Sequence, residues 1–256
     1  MAFRYVSVDE AMQAVGLRMV VVGNVPSPWG EAAKGIFHVK KLDWLAVRLD
    51  YESEALKAWA GQRSGPVAFW NAEPPRDRWI DILLLAERIA PSPALLPQDA
   101  EQRALAIGLA HEIIGEQGLA WSRRLRMVHA GLNESGGFAP PVAKYLSRKY
   151  GYNAHAADAN LQRVVDVLAL LTARLKAQHA KGSRYLIGDA MTAVDIYSAA
   201  AMALFRPLPE DVCAMKTDTR AAFGLSEPAT DAALGDLLIA HRDMMYREHL
   251  ASPLAL

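Results

Sequence analysis

The chain has 256 residues, enough for two domains, and its 52% apolar and 22% charged residues are typical of an ordinary soluble globular protein. A formal net charge of zero gives no indication of a nucleic-acid-binding surface or a polybasic membrane patch. The single cysteine, Cys213, excludes an intramolecular disulfide. The first residues lack the pattern of a secretory signal, and no apolar run approaches the roughly 20 residues that span a bilayer. We therefore expect a cytoplasmic protein.

Strand and helix signals alternate over the first ninety residues. Ser7 and Glu10 form a capping-box pattern that predicts a short helix ending before Gly16. Residues 1–16 are therefore predicted to be an N-terminal extension that contains this helix. Beyond it the patterns predict strands at 17–22, 45–49 and 67–70, and helices beginning near Pro28, at 50–60 and at 80–89. This alternation predicts an α/β layer.

The segment 91–97 is rich in proline and has no periodicity, which predicts a linker. No strand signal of any strength follows it. Helical patterns occupy 101–117, 119–130, 140–150, 158–180, 193–205 and 231–250. Residues 158–180 carry the clearest apolar stripe at helical spacing. The second part of the chain, 98–256, is therefore predicted to be an all-α bundle.

The segment 188–196 carries two signals for the start of a helix. Thr192 stands at the N-cap and Asp195 at the third helical position, which is capping-box geometry with Asp in place of the usual Glu. Met191 and Ile196 stand at the hydrophobic-staple positions. The helix that follows is apolar on all sides, which predicts a buried helix. We interpret this segment as a structural capping box and a folding nucleus.

A small α/β layer, a proline-rich linker and a helical bundle with this late capping box closely resemble the cytosolic glutathione transferases. The resemblance implies a thioredoxin-like glutathione-binding domain at 17–90, the linker at 91–97 and an all-helical C-terminal domain at 98–256. It also implies a homodimer that uses glutathione as co-substrate. The segment 1–16 lies outside the family pattern.

Ser27 opens the first helix after the strand at 17–22, with Pro28 at the first helical position. In the family this loop carries the residue that contacts the glutathione sulfur, so the resemblance implies that Ser27 stabilises the thiolate. Ser27 is equally an ordinary N-cap, and the two roles are compatible. Asn24 is a second possible donor or simply a turn residue. Lys34 is interpreted as a solvated or salt-bridged surface group.

Gly65, Pro66 and Val67 open the third predicted strand. The resemblance implies a cis peptide bond at Pro66. It also implies that the backbone before the proline pairs with the cysteinyl part of glutathione as an added strand would.

Asp77 and Arg78 stand where family members carry a Glu/Gln-Ser pair at the start of a helix. The resemblance implies that Asp77 takes the glutathione amine and that Arg78 pairs with a carboxylate. Two alternatives remain open from the residues themselves. Arg78 pairs with Asp81 on the surface, or Asp77 is itself the N-cap and occupies the helix N–H groups.

The family places its electrophile against the long helices after the linker, where this chain has a mixed group of basic and apolar residues. The preferred interpretation of that group is a solvated face with a few core aromatics. Its members are Trp121, Arg123, Arg124, Arg126, Met127 and His129. The histidines do not fall at metal-ligand spacing, so we expect no metal.

Two functions follow from these observations. The first is a serine-type glutathione transferase that conjugates the glutathione thiolate to a small apolar electrophile. The alternative is a non-catalytic ligand-binding or interaction protein that has kept the fold while its glutathione site has decayed. Ser27 with Pro28 favours the first, and the missing Glu/Gln-Ser pair favours the second. Neither reading involves nucleic acid or a membrane.

Overall fold

The computed structural model describes residues 3–256 and divides into two compact units. The first unit runs to Ala94 and also includes Leu256, and the second runs Leu95–Ala255. The division falls inside the proline-rich segment 91–97. Among the described residues, none of the helices combines the length and apolar character needed to cross a membrane.

The first unit is an α/β layer, as predicted. Its elements in chain order are β1 (Phe3–Tyr5), α1 (Val8–Gln13), β2 (Leu17–Val21), α2 (Pro28–Val39), β3 (Trp44–Arg48), α3 (Glu54–Ala60), β4 (Val67–Trp70) and α4 (Trp79–Ile89). Within residues 3–256 the strands form one sheet in the order β1-β3-β2-β4. Strands β1, β3 and β2 are parallel, and β4 is antiparallel to β2.

Strand β1 is an addition that the sequence patterns did not predict. The segment 1–16 was expected to supply a helix only, and its first two residues lie outside the described part of the chain. Helix α1 is present, and the hydroxyl of Ser7 accepts a hydrogen bond from the backbone N–H of Glu10 at 3.1 Å. Phe3, however, lies opposite Trp44 in β3, and their rings stack with centroids 4.4 Å apart. A neighbouring strand therefore holds β1 in place.

Helices cover both faces of the sheet, which explains why β2 is buried along its whole length. On one face Val20 and Val47 pack with Leu56 of α3 and with α1. On the other face Phe37 of α2 meets Trp44 edge-on, with ring centroids 5.6 Å apart. Successive residues of a strand point to opposite faces, so the apolar run of β2 serves both layers.

Lys40, at the end of α2, holds the end of α4. Its side chain is fully buried, and Nζ lies 2.6 Å from a carboxylate oxygen of Glu87. The same ammonium group donates to the carbonyl oxygens of Ala90 and Pro93 at 2.6 and 2.9 Å. A cation at the C-terminal end of a helix interacts favourably with the carbonyl groups there. Lys40 thus fixes the last turn of α4.

The described part of the second unit is helical and contains no strand. Its helices are α5 (Ala100–Ile114), α6 (Leu119–Leu132), α7 (Pro140–Lys149), α8 (Ala157–His179), α9 (Ala193–Ala201), α10 (Thr217–Phe223), α11 (Pro228–Ala233) and α12 (Asp236–Glu248). The single helix predicted at 231–250 is wrong, because Leu234 and Gly235 separate α11 from α12. The short α10 was not predicted. The α/β unit and the all-α unit confirm the predicted fold class.

Helix α9 is the buried helix that the capping box predicted. Thr192 and Asp195 form the box, and every residue of α9 is buried. One carboxylate oxygen of Asp195 accepts from the backbone N–H of Thr192 at 2.8 Å and from its hydroxyl at 3.0 Å. The other accepts from the N–H of Leu186 at 2.8 Å and from Nε2 of His241 at 3.0 Å. Asp195 therefore joins a loop, the start of α9 and α12.

Candidate functional site

The candidate site lies in the first unit, at the edge of the sheet where β2 and β3 end and β4 begins. Val21 at the end of β2 lies opposite Arg48 at the end of β3. Strand β4 enters at the same edge, because Val67 pairs with Val20. In open α/β sheets, ligands bind outside the carboxyl ends of parallel strands.

Ser27 is at the N-cap position of α2 and is 5% exposed. Its hydroxyl makes no capping hydrogen bond, so the prediction that Ser27 is an ordinary N-cap is correct for its position and wrong for its bonding. Pro28 occupies the first helical position as predicted, and Trp29 and Gly30 follow. The hydroxyl thus stands at the positive end of α2 without accepting from the N–H groups of that helix.

A buried ion pair follows in the first two turns of α2. Lys34 Nζ lies 2.6 Å from a carboxylate oxygen of Glu31, and both side chains are less than one-tenth exposed. Lys34 is therefore salt-bridged, as one prediction had it, but it is not a surface group. Burial raises the pKa of the Glu31 carboxyl, and the charge of Lys34 partly opposes this rise. The ammonium group of Lys34 counters a negative charge near the start of α2.

Gly65 and Pro66 directly precede β4, and the peptide bond between them is cis, as predicted. Gly65 approaches β2 closely, since a Cβ atom there would lie 3.2 Å from the carbonyl oxygen of Val20 and 3.4 Å from the nitrogen of Val22. Val67 is fully buried. The backbone of Gly65 is thereby set beside the strand that leads to Ser27.

Asp77 and Arg78 directly precede α4, at the predicted position, and both are exposed. Two of the alternatives for them are wrong. The N-cap of α4 is Arg78 and not Asp77, whose carboxylate accepts from the side-chain amide of Gln62 at 2.9 Å. No ion pair joins Arg78 to Asp81 within residues 3–256. The hydrogen bond between Gln62 and Asp77 therefore links the segment that leads to Gly65 with the start of α4.

Tyr5 and Arg48 belong to the same edge and were not found from the sequence. The guanidinium carbon of Arg48 lies 4.0 Å from the centroid of the Tyr5 ring. Burial raises the pKa of the Tyr5 hydroxyl, the charge of Arg48 opposes this, and that of Glu31 adds to it. Asn24, the second possible donor, is exposed and has a φ of 62°, which suits a turn residue.

The arginines of α6 are not a solvated face, so that interpretation is wrong. Arg123 is fully buried and donates to Glu227 at 2.8 Å and to the carbonyl oxygens of Leu204 and Leu225. Arg126 binds the other carboxylate oxygen of Glu227 at 2.5 and 2.8 Å. Burial lowers the pKa of Arg123 to about 10, although Glu227 opposes the shift. These arginines tie α6 to the segment that precedes α11.

A cavity of about 440 Å³ adjoins this ion pair in the helical unit. The polar groups in its wall already have partners in the protein. Glu227 binds the two arginines, and Nδ1 of His129 lies 2.8 Å from the hydroxyl of Tyr152. The cavity therefore carries little indication of a polar ligand.

Comparison with known proteins agrees with this architecture. The model of the glutathione S-transferase C-terminal domain matches residues 138–221. Three solved structures are similar over most of the chain. A Tau class glutathione S-transferase from mango, Mangifera indica L., has a TM-score of 0.53 and 18% identity, and the match covers 90% of this chain and 98% of that one. Glutathione transferase Omega 3C from Trametes versicolor has a TM-score of 0.58 and 14% identity, with 94% and 90% covered.

A glutathione transferase family member from Pseudomonas fluorescens pf-5 has a TM-score of 0.55 and 14% identity, with 89% and 97% covered. No curated protein matches at a significant level. The fold is that of the glutathione S-transferases, which confirms the resemblance predicted from the sequence. Within the helical unit, residues 138–221 match the C-terminal domain of that family.

Proposed function

We propose that this chain is a glutathione transferase in which Ser27 stabilises the thiolate of glutathione for conjugation to a small apolar electrophile. The observation that carries the proposal is the state of the Ser27 side chain. It is buried at the N-cap of α2, and its hydroxyl does not cap the helix. The O–H group is therefore available to donate to a ligand at this edge of the sheet.

The electrostatics of the position suit a thiolate. A hydrogen-bond donor and the positive end of a helix both favour a thiolate over a thiol and lower the thiol pKa. A larger thiolate fraction at neutral pH supplies the nucleophile for attack on an electrophile. Glu31 would work against this effect, but the ammonium group of Lys34 lies 2.6 Å from its carboxylate.

The remaining contacts in the proposal extend along the same edge. The backbone of Gly65, before Pro66 and Val67, would pair with the cysteinyl part of glutathione as an added strand does. Asp77 would take the amine, and Arg78 would pair with a carboxylate at the start of α4. The similar structure from Pseudomonas fluorescens pf-5, described with two glutathione bound, supports this assignment at the level of the fold.

One observation favours a second candidate, a non-catalytic ligand-binding or interaction protein. Asp77 stands where the family has Glu or Gln, and its carboxylate already accepts from Gln62 at 2.9 Å. Arg78 replaces the serine hydroxyl with a long charged side chain. The anchoring half of the site thus departs from the family pattern more than the thiolate half does.

A crossed pair of serine variants tests the proposal. Ser53 caps α3 by accepting from the N–H of Leu56 at 3.1 Å, whereas Ser27 caps nothing. Ser27→Ala should lower kcat/KM with a model electrophile about 10- to 100-fold, because a hydrogen bond to a charged group contributes about 1.5–3 kcal/mol. Its melting temperature should stay close to that of the wild type.

Ser53→Ala should give the opposite pattern, with conjugation unchanged and stability lower by about 1 kcal/mol. Equal activity in wild type and Ser27→Ala would remove Ser27 from the mechanism. If the wild-type chain neither binds glutathione nor conjugates it to any of several electrophiles, the binding-protein candidate replaces the enzyme.

A further inference from the structure

Helix α7 is held to the helical unit by a small part of its surface. Ala143 is the one buried residue among its ten. It lies against Gly131 of α6, where an added Cβ atom would stand 3.0 Å from the Cβ of Ala143. The two helices therefore approach each other closely at two small residues. Because so little of α7 is used for packing, the other side of the helix is exposed to solvent.

This solvent-exposed side of α7, which we call the α7 face, carries both apolar and basic side chains. Val142 and Tyr145 are each 45% exposed, and their spacing of three residues makes them neighbours on a helix. Lys144 and Arg148 are exposed as well, four residues apart. In the described part of the chain neither of these two forms an ion pair with a carboxylate. Lys149 is not counted in the α7 face, because its ammonium group faces an aromatic ring of the protein.

The charge of the segment around α7 has a single sign. Residues 135–157 contain three lysines and arginines and no aspartate or glutamate, although the formal net charge of the whole chain is zero. The nearest acidic residues along the chain, Glu134 and Asp158, lie outside α7. Such a segment produces a positive potential that extends about 10 Å from the surface at roughly 0.1 M salt. The α7 face therefore attracts an anionic partner.

The shape of the α7 face suits an extended surface better than a small molecule. It is the outer side of one helix, about 15 Å long at 1.5 Å per residue. The 440 Å³ cavity of the helical unit is lined by other residues. A convex helix with exposed apolar and basic side chains matches the boundary of a lipid bilayer. There apolar side chains enter the headgroup region, tyrosine is enriched, and lysine and arginine stay at the anionic headgroups.

We propose that the α7 face binds the surface of an anionic lipid bilayer. Val142 and Tyr145 enter the boundary between headgroups and acyl chains, and Lys144 and Arg148 bind the headgroups. A protein partner would need a groove to receive the convex helix, whereas a fluid lipid layer adapts to it. This binding is independent of the function proposed for Ser27, because it involves no residue of that site and no glutathione.

Co-sedimentation of the full chain with vesicles tests the binding. Vesicles of phosphatidylcholine and phosphatidylserine should bind the chain about tenfold or more tightly than vesicles of phosphatidylcholine alone, since each basic residue near an anionic surface contributes on the order of fivefold in affinity. Removing both charges, in Lys144→Gln with Arg148→Gln, should therefore weaken binding about 25-fold. Val142→Ser should weaken it about threefold, because apolar surface is lost from the contact.

Two control variants separate the position of the charges from their number and from exact geometry. Lys176→Gln with Lys181→Gln removes the same charge from exposed positions at the C-terminal end of α8, and it should change the affinity by less than about twofold. Lys144→Arg with Arg148→Lys exchanges the two side chains and keeps both charges. It should bind as the wild type does, because a fluid headgroup layer requires no fixed arrangement of donors.

Several results would overturn the proposal. Equal binding to the two kinds of vesicle, or equal losses in the two glutamine pairs, would remove the α7 face from membrane binding. Weak binding by the exchanged pair would indicate a site of fixed geometry instead. Tighter binding to polyglutamate than to the vesicles would assign the face to an acidic protein. A changed mass of Lys144→Gln with Arg148→Gln in light scattering would assign it to contacts between copies of the chain, and a lower melting temperature would assign the two residues a structural role.

Discussion

Replacing Asp195 by alanine should be among the most destabilising single changes in this chain. The carboxylate is fully buried and accepts four hydrogen bonds. Alanine would leave the backbone N–H groups of Leu186 and Thr192 and the hydroxyl of Thr192 without their acceptor. It would also remove the acceptor of His241 Nε2, whose other ring nitrogen has no partner in the described structure.

The magnitude follows from those orphaned donors. Each buried polar group left without a partner costs about 1–3 kcal/mol. The sum over four such groups exceeds what single substitutions usually show, because the structure relaxes and water enters. We therefore expect a loss near the upper end of measured values, about 4 kcal/mol of the free energy of unfolding. For a chain of this length that corresponds to a fall in melting temperature of about 10 °C.

Urea unfolding followed by circular dichroism measures the effect, and Asp189→Ala is the matched control. Asp189 lies six residues upstream, is exposed, and undergoes the same change of residue, so its effect should stay within about 0.5 kcal/mol. Asp195→Asn keeps the shape of the side chain and one acceptor oxygen. Its loss of unfolding free energy should therefore lie between those of Asp195→Ala and Asp189→Ala. In whatever protein remains folded, ligand affinity should change far less than stability. A difference under 1 kcal/mol between Asp195→Ala and Asp189→Ala would refute the reasoning.

Three further predictions concern buried charge and assembly. Arg123→Met should lower the free energy of unfolding by about 3–5 kcal/mol because it breaks a buried ion pair with Glu227, whereas Arg184→Met, at an exposed pair, should change it by less than 1 kcal/mol in the same urea titration. Lys40→Met should lower the free energy of unfolding by about 2 kcal/mol, because Glu87 and two carbonyl groups lose a charged donor. Amide hydrogen exchange should then be faster in the last turn of α4 than in the wild type. The family resemblance predicts a two-fold homodimer, so light scattering at micromolar concentration should give twice the chain mass, and a monomer mass would contradict it.

The parts of the fold that could be predicted from the sequence depend on neighbours along the chain. The capping box at Thr192 and Asp195 spans four residues. The residues that signal the start of α9 and the hydrogen bonds they form therefore lie within one helical turn. The position of Ser27 before Pro28 likewise follows from local turn chemistry. The buried strand β2 is marked by its own apolar run. Each of these elements carries its signal within a short window.

The parts that could not be predicted depend on residues far apart in the chain. Strand β1 has three residues, too few for a periodicity, and it exists because β3 pairs with it some forty residues later. The sequence predicted a solvated face for the arginines of α6, because their partner Glu227 is about one hundred residues away and no local pattern links it to them. The candidate site shows the same division. Ser27 was recognisable, whereas Tyr5 and Arg48 come together through the sheet.

The central claim is that Ser27 lowers the thiol pKa of glutathione bound at the end of β2. Ultraviolet absorbance of the thiolate, titrated against pH in the presence of the wild-type chain and of Ser27→Ala, measures it directly. We expect the bound thiol of the wild type to ionise at least one pH unit below free glutathione, and the thiol pKa in Ser27→Ala to rise by about one to two units, since each unit corresponds to about 1.4 kcal/mol. Ser53→Ala should titrate as the wild type does. An unchanged thiol pKa in Ser27→Ala, with glutathione still bound, would contradict the claim.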